Sequence, residues 1–211
     1  MIQNAPRQPL RLHRFALSGH CHRVELLLSL LELPVQSIDV DLAGGEQRSP
    51  RFLALSPLGQ VPVLEDGPLA LADSNAILVY LAKSYGGARF QLDSPALEAE
   101  QQRWFSIAAG PLAVGPAAAR VHHLFGRPLD IQAARLTAHA LFRVMDTHLT
   151  TRDFLLGSRL SLADVSHYAY TAHAPEGGVP LDEYPALSAW LARIEALPRF
   201  VPMPASPRPE V

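Results

Sequence analysis

At 211 residues with 48% apolar side chains, the chain is long enough to bury the core of one large domain or two modest ones. A formal charge of −2 argues against nucleic-acid or membrane-surface binding, since both need a basic face. The single cysteine, Cys21, leaves no internal disulfide framework and suits a reducing cytoplasm.

The first nine residues, with Pro6 and Pro9, are expected to form a loose arm. No basic flank followed by an apolar run opens the chain, so no signal peptide is read. Residues 10–17 alternate roughly as a strand. Val24, Leu27, Leu28 and Leu31 then fall at i, i+3, i+4 and i+7, which predicts a helix stopped by Pro34. Residues 35–42 read as a second strand, and 50–55 as a short helix ended at Pro57. Two strands over 61–65 and 68–71 are joined at Asp66-Gly67, a hairpin signal. A helix over 74–85, with Ser74 as its N-cap, ends at Gly86-Gly87.

This βαβ, α, ββα order is a thioredoxin-like layout whose first two strands should be parallel. From about Ser94 the pattern is wholly helical, with segments near 95–125, 130–150, 161–173 and 185–197. The switch predicts an α/β thioredoxin-like N-terminal domain over 1–85, a linker over 86–94 and an all-α C-terminal domain over 95–211. The longest near-uncharged stretch, 106–119, is broken by Gly110, Pro111, Gly115 and Pro116 and is too short to span a bilayer. Ser161 with Asp164 three residues on is a capping-box variant, so Asp164 is read as structural. The tail from Val201 carries four prolines and cannot be helical.

One pattern points to a ligand. In Gln60-Val61-Pro62 a proline stands at the mouth of a strand, where its missing ladder donor is tolerated. A cis bond there would leave the Val61 N–H and C=O free to pair with an extended peptide. Asp73-Ser74 opens a helix whose first N–H groups attract a carboxylate. The two segments together read as a clamp for a small peptide-like anion.

This clamp resembles the glutathione site of the cytosolic glutathione transferases. The resemblance runs from about Arg11 to Phe200. It implies that Val61, next to Pro62, pairs with the cysteinyl backbone of glutathione, while Asp73 and Ser74 hold its γ-glutamyl end. Gln60 and Arg48 are the candidates for its glycyl carboxylate. The Gly157-x-x-x-Ser161-x-x-Asp164 pattern resembles the buried helix start of the family's second domain. The resemblance also implies a homodimer and glutathione as co-substrate, with detoxification in the cytoplasm as the setting.

Chemistry is expected where the first strand meets the first helix. A thiolate, the reactive form of a thiol, is favoured by a hydroxyl hydrogen bond and by a helix N-terminus. Ser18 is placed for both and resembles the serine of the serine-type classes, theta and zeta among them. The zeta class carries adjacent serines directly before a cysteine, whereas Gly19-His20 intervenes here. Ser18-Gly19-His20-Cys21 also looks like a glutaredoxin Cys-x-x-Cys with its first cysteine replaced, so disulfide chemistry would have to run through bound glutathione.

Simpler roles stand beside these: Ser18 as a plain N-cap, Cys21 as a buried apolar residue, Arg23 as an ion-pair partner. His20, His22, His122 and His123 form no recognisable ligand set, so no metal is expected. A second substrate would lie between the domains, against Leu17, His20, Trp104, Ile107, Ala108 and Arg120, with Trp104 and Phe105 unable to face inward together. His123, Tyr168 and His173 are further polar candidates. The expected reaction is conjugation of a Ser18-stabilised thiolate to a small apolar electrophile. A glutathione-dependent disulfide or peroxide reductase and a non-catalytic binding module are the alternatives.

Overall fold

The computed structural model describes residue 6 and residues 8–207, so most of the expected N-terminal arm and the last residues of the tail lie outside the described residues. The chain divides into two compact units. The first runs to Gln91 and takes back Pro198–Met203; the second is Leu92–Leu197 with the residues from Pro204 on. The expected division placed everything after 95 in the second domain. Residues 198–203 belong with the first instead, because Arg199 and Val201 are hydrogen-bonded to its first helix.

The first unit is a four-stranded mixed sheet with helices, a thioredoxin-like layer arrangement. Strands β1 (Leu10–Arg14) and β2 (Val35–Asp39) are parallel, joined through helix α1 (Gly19–Leu30). A 3₁₀ turn (Glu46–Arg48) and helix α2 (Pro50–Leu53) lead to β3 (Val63–Asp66) and β4 (Leu69–Ala72), then α3 (Ser74–Tyr85). The strand order is β2-β1-β3-β4, with β3 antiparallel to both its neighbours. β2 stops three residues short of its expected end, and the Val61–Pro62 bond is cis.

Helix α1 is capped by Ser18 Oγ, which accepts from Cys21 N at 3.3 Å, and ends where Glu32 turns to φ +55° before Pro34. Its apolar stripe at 24, 27 and 28 is buried as expected, but burial continues round the helix to Cys21, His22, Arg23 and Leu26. α3 packs on α1 and buries Ile77, Leu78 and Leu81. A separate small core forms from Val40, Phe52 and Val63, with Leu42, Leu55, Val61 and Ala72 against it. Burial of this kind contributes about 1.5–3 kcal/mol for each large aliphatic side chain removed from water.

The second unit is all helical: α4 (Pro95–Ala109), α5 (Ala118–Phe125), α6 (Ile131–Leu149), α7 (Leu162–Ala172) and α8 (Pro185–Glu195). The segment expected over 95–125 is broken after Ala109. Gly110 leaves helical geometry, and a π turn over Ala113–Ala117 absorbs Pro116. Gly115 is required there, since a Cβ would stand 2.9 Å from Ala138 N of α6. Ser94 and Asp130 cap α4 and α6 through Leu97 N and Ala133 N.

Asp164 is fully buried at the start of α7. It accepts from Ser161 N, Ser161 Oγ, Leu155 N and Trp190 Nε1 at 2.6–2.8 Å, so its role is to satisfy donors of the fold. Burial raises its pKa, and those four bonds oppose the shift. Among the described residues no helix is long and apolar enough to cross a membrane.

Candidate active site

Strand register brings the clamp segments to one end of the sheet. β1 runs toward Ser18, and because β3 is antiparallel to it, the start of β3 lies beside the end of β1, with His13 opposite Val63. β4 is antiparallel to β3 and Val63 pairs with Ala72, so Asp73 and Ser74 emerge at the same end. Residues 61–62, 73–74 and 18 therefore converge, although they are up to 56 positions apart in the sequence.

Side chains join two of these segments. Ser74 Oγ, buried at the start of α3, accepts from Arg23 Nη1 at 3.1 Å and lies 3.3 Å from His20 Nδ1. The same Arg23 nitrogen is 3.0 Å from His20 Nδ1. Arginine only donates, so Nδ1 is the acceptor and the proton of neutral His20 sits on Nε2. Burial, and then the neighbouring Arg23 charge, pulls the His20 pKa down to about 3, so the ring is neutral at physiological pH. Arg23 is 1% exposed and its guanidinium stands directly behind Ser74. Arg23 thus joins two neutral side chains, His20 and Ser74.

The N-cap of α3 is Asp73, not Ser74. Asp73 Oδ1 accepts from Ala76 N at 2.9 Å, while Ser74 is the first helical residue. Asp73 has φ +74°, a region an L-residue rarely adopts. Non-glycine strain of this sort is held where the surroundings over-determine it, commonly at ligand sites.

Cys21 is fully buried and its sulfur accepts from Phe15 N at 3.4 Å. Burial pushes its pKa up to about 12 against the opposing hydrogen bonds of Ser18 and Phe15. It is an inert packing residue, not a nucleophile. Arg48 and Gln60 are exposed and lie on adjoining segments, because a Cβ on Gly59 would stand 2.8 Å from Gln47 O. Leu17 and His20 flank Ser18 and are half-buried.

Most of the residues expected to wall an electrophile pocket from the helical half are buried within the second unit. Trp104 is fully buried, with its ring 5.1 Å from that of His148 and 5.2 Å from that of His167. Phe105 is buried with it, against expectation. Neighbours on a helix point about 100° apart, so α4 is covered over a wide arc, which also encloses Ala108. Ile107 is half-buried. Arg120 is 1% exposed and paired to Glu176 at 2.6 Å. The other polar candidates are engaged within the fold: Tyr168 with Glu195, His123 with Arg135, His173 with Glu176. Among the described residues no group of three His, Cys, Asp or Glu side chains is arranged to hold a metal.

Comparison with known proteins shows the family. Residues 17–84 match the model of the glutathione S-transferase N-terminal domain, and residues 126–198 match that of the C-terminal domain. The chain belongs to the glutathione S-transferase family. It is 31% identical to glutathione S-transferase 3 of Zea mays, over 94% of this chain and 97% of that relative. A crystal structure of a glutathione S-transferase from Pseudomonas fluorescens superposes with a TM-score of 0.86 at 34% identity, covering 93% of this transferase and 99% of the other chain. The disulfide-bond oxidoreductase YfcG of Escherichia coli is 30% identical over 87% of this chain and 89% of that protein. Family membership makes glutathione the substrate of this transferase.

Proposed function

We propose that Ser18 holds glutathione as its thiolate and that this thiolate attacks an electrophilic carbon of a small apolar substrate, forming a carbon–sulfur bond as the carbon's bond to its leaving group breaks and that group departs with the electron pair. The observation that carries the reading is the bonding of Ser74 Oγ to Arg23 and His20, which sets the start of α3 against the turn that Ser18 caps. Ser18 Oγ accepts from Cys21 N, a bond that does not use the hydroxyl hydrogen, which turns from the buried Cys21 side chain to the glutathione sulfur when the peptide binds.

The magnitudes are adequate. A thiol of pKa about 8.5 is only about 3% ionised at pH 7. A hydrogen bond to the anion worth about 2 kcal/mol lowers that pKa by about 1.5 units and brings the thiolate to about half. Holding both reactants together removes much of the remaining entropic barrier.

In the same reading, the Val61 backbone pairs with the cysteinyl residue. Asp73 faces the γ-glutamyl ammonium, and Ser74, backed by the Arg23 charge, takes the γ-glutamyl carboxylate. Gln60 and Arg48 serve the glycyl carboxylate, and Leu17 and His20 border the electrophile. A cytoplasmic homodimer is the proposed form, checked by sedimentation.

Titration with reduced glutathione, followed by ultraviolet thiolate absorbance at pH 7, tests the reading. The signal should appear in the wild type and collapse in Ser18→Ala; equal signals in both would remove Ser18 from its role. A second reading, glutathione-dependent disulfide reduction, is favoured by the likeness to YfcG. With Cys21 inert, exchange would run through glutathione alone. Tighter binding of oxidised than of reduced glutathione would support it.

A further inference from the structure

After Leu197 the chain joins the first unit as irregular backbone fastened to α1. Ser29 Oγ donates to Arg199 O at 2.7 Å, the Arg199 guanidinium pairs with Glu32 at 3.0 Å, and His22 Nε2 donates to Val201 O at 2.8 Å. The strap thus runs from the C-terminal end of α1 back to its first turn, and Met203 beyond it is buried. Glu32 and Arg199 both have positive φ, +55° and +68°. Among the described residues the one other non-glycine position of this kind is Asp73, in the site itself. Sparsely populated backbone persists where neighbouring contacts dictate it, and here the contact is strap against helix.

We propose that the strap over residues 199–203 is a positioning element for the thiolate site, and that His22 is the positioning residue through which it acts on Ser18. This rests on the reading of Ser18 as the thiolate's hydrogen-bond donor. His22 is 1% exposed and connects both ends of the chain of contacts. Its backbone N–H donates to Ser18 O at 3.0 Å, closing the first turn, and its ring donates to the strap. A hydrogen bond buried in a low-dielectric interior is stronger than one in water, so the strap holds the first turn, and with it the Ser18 hydroxyl, in one orientation. His22 touches neither glutathione nor the reacting atoms in this scheme.

The test compares wild type, His22→Leu and His22→Gln in the full chain. For each, the apparent pKa of bound glutathione is read from thiolate absorbance against pH, alongside kcat and KM for glutathione. His22→Leu should raise the bound thiol's pKa by about one unit and lower kcat about tenfold, the scale of a slightly misplaced donor, with KM changed less than about threefold. The glutamine amide can donate to the same carbonyl, so His22→Gln should restore most of kcat. If His22→Leu merely melts earlier while the bound-thiol pKa stays at the wild-type value, the bond is structural and the proposal falls. Should His22→Leu not fold, the double variant Ser29→Ala, Glu32→Gln releases the strap from the outer side of α1. The same upward shift is expected there, and an unmoved pKa overturns the proposal. A wild type with no thiolate signal would instead strike down the reading of Ser18, and the role of His22 with it.

Discussion

Neutralising Glu176 should destabilise the helical unit by about 3 kcal/mol at pH 7, and the loss should vanish in acid. Glu176 is 5% exposed and accepts from Arg120 Nε at 2.6 Å, from Ser206 N at 3.1 Å and from the Ser206 hydroxyl, with His173 Nδ1 at 2.6 Å. Burial by itself raises the carboxyl pKa, but the summed bonds from Ser206, Arg120 and His173 outweigh it and hold the group down to about 2, against an ordinary 4.5. That difference is about 2.5 units, or about 3 kcal/mol at 1.36 kcal/mol per unit. Because the folded-state pKa is depressed, the stability is fully present above pH 4.5 and is lost as pH falls toward 2.

Glu176→Gln keeps the shape and removes the negative charge that faces the buried Arg120 guanidinium. The chain's two tryptophans, Trp104 and Trp190, are both fully buried in the second unit, so their fluorescence reports its unfolding in urea. Wild type and variant should differ by about 3 kcal/mol at pH 7 and converge as pH approaches 2. A difference that stays constant across that window would show that the ionised carboxylate is not what holds the network together.

Arg23→Leu should weaken glutathione binding about tenfold or more by calorimetry, the worth of a charge-assisted bond behind Ser74; unchanged affinity would remove Arg23 from the site. Native Cys21 should react with a thiol-specific reagent at pH 8 orders of magnitude more slowly than a free thiol, given its pKa near 12. Rapid stoichiometric labelling would contradict its burial. Asp164→Ala should cost about 3–5 kcal/mol in urea unfolding, since it strands Leu155 N, Ser161 N and Trp190 Nε1 inside the protein. A loss below about 1 kcal/mol would mean that water replaces the carboxylate without penalty.

Local chemistry determined the element order. Ser18, Ser94, Asp130 and Ser161 start helices because their side chains satisfy nearby N–H groups, and Pro34, Gly86 and Gly126 end them, all within a few residues of chain. Asp66-Gly67 set the hairpin, and the helical crossover made β1 and β2 parallel. The cis-proline turn at 61–62, the start of α3 at 73–74 and the Ser18 cap of α1 were legible for the same reason, since each is a short motif at an element boundary.

Other features depended on which elements cover one another. Asp73 rather than Ser74 caps α3 because the backbone at 73 is turned to positive φ, which residue type alone does not reveal. Arg23 stands behind Ser74 only because α1 and α3 pack together. Periodicity reports one apolar face and is silent on how many neighbours a helix has, so it missed the joint burial of Trp104 and Phe105 and the enclosure of Arg120. It missed the return of residues 198–203 to α1 as well, because that contact joins His22 to Val201, 179 positions away. The sequence carried the local preferences of each segment; long-range packing decided which of them meet and which side chains remain open to a ligand.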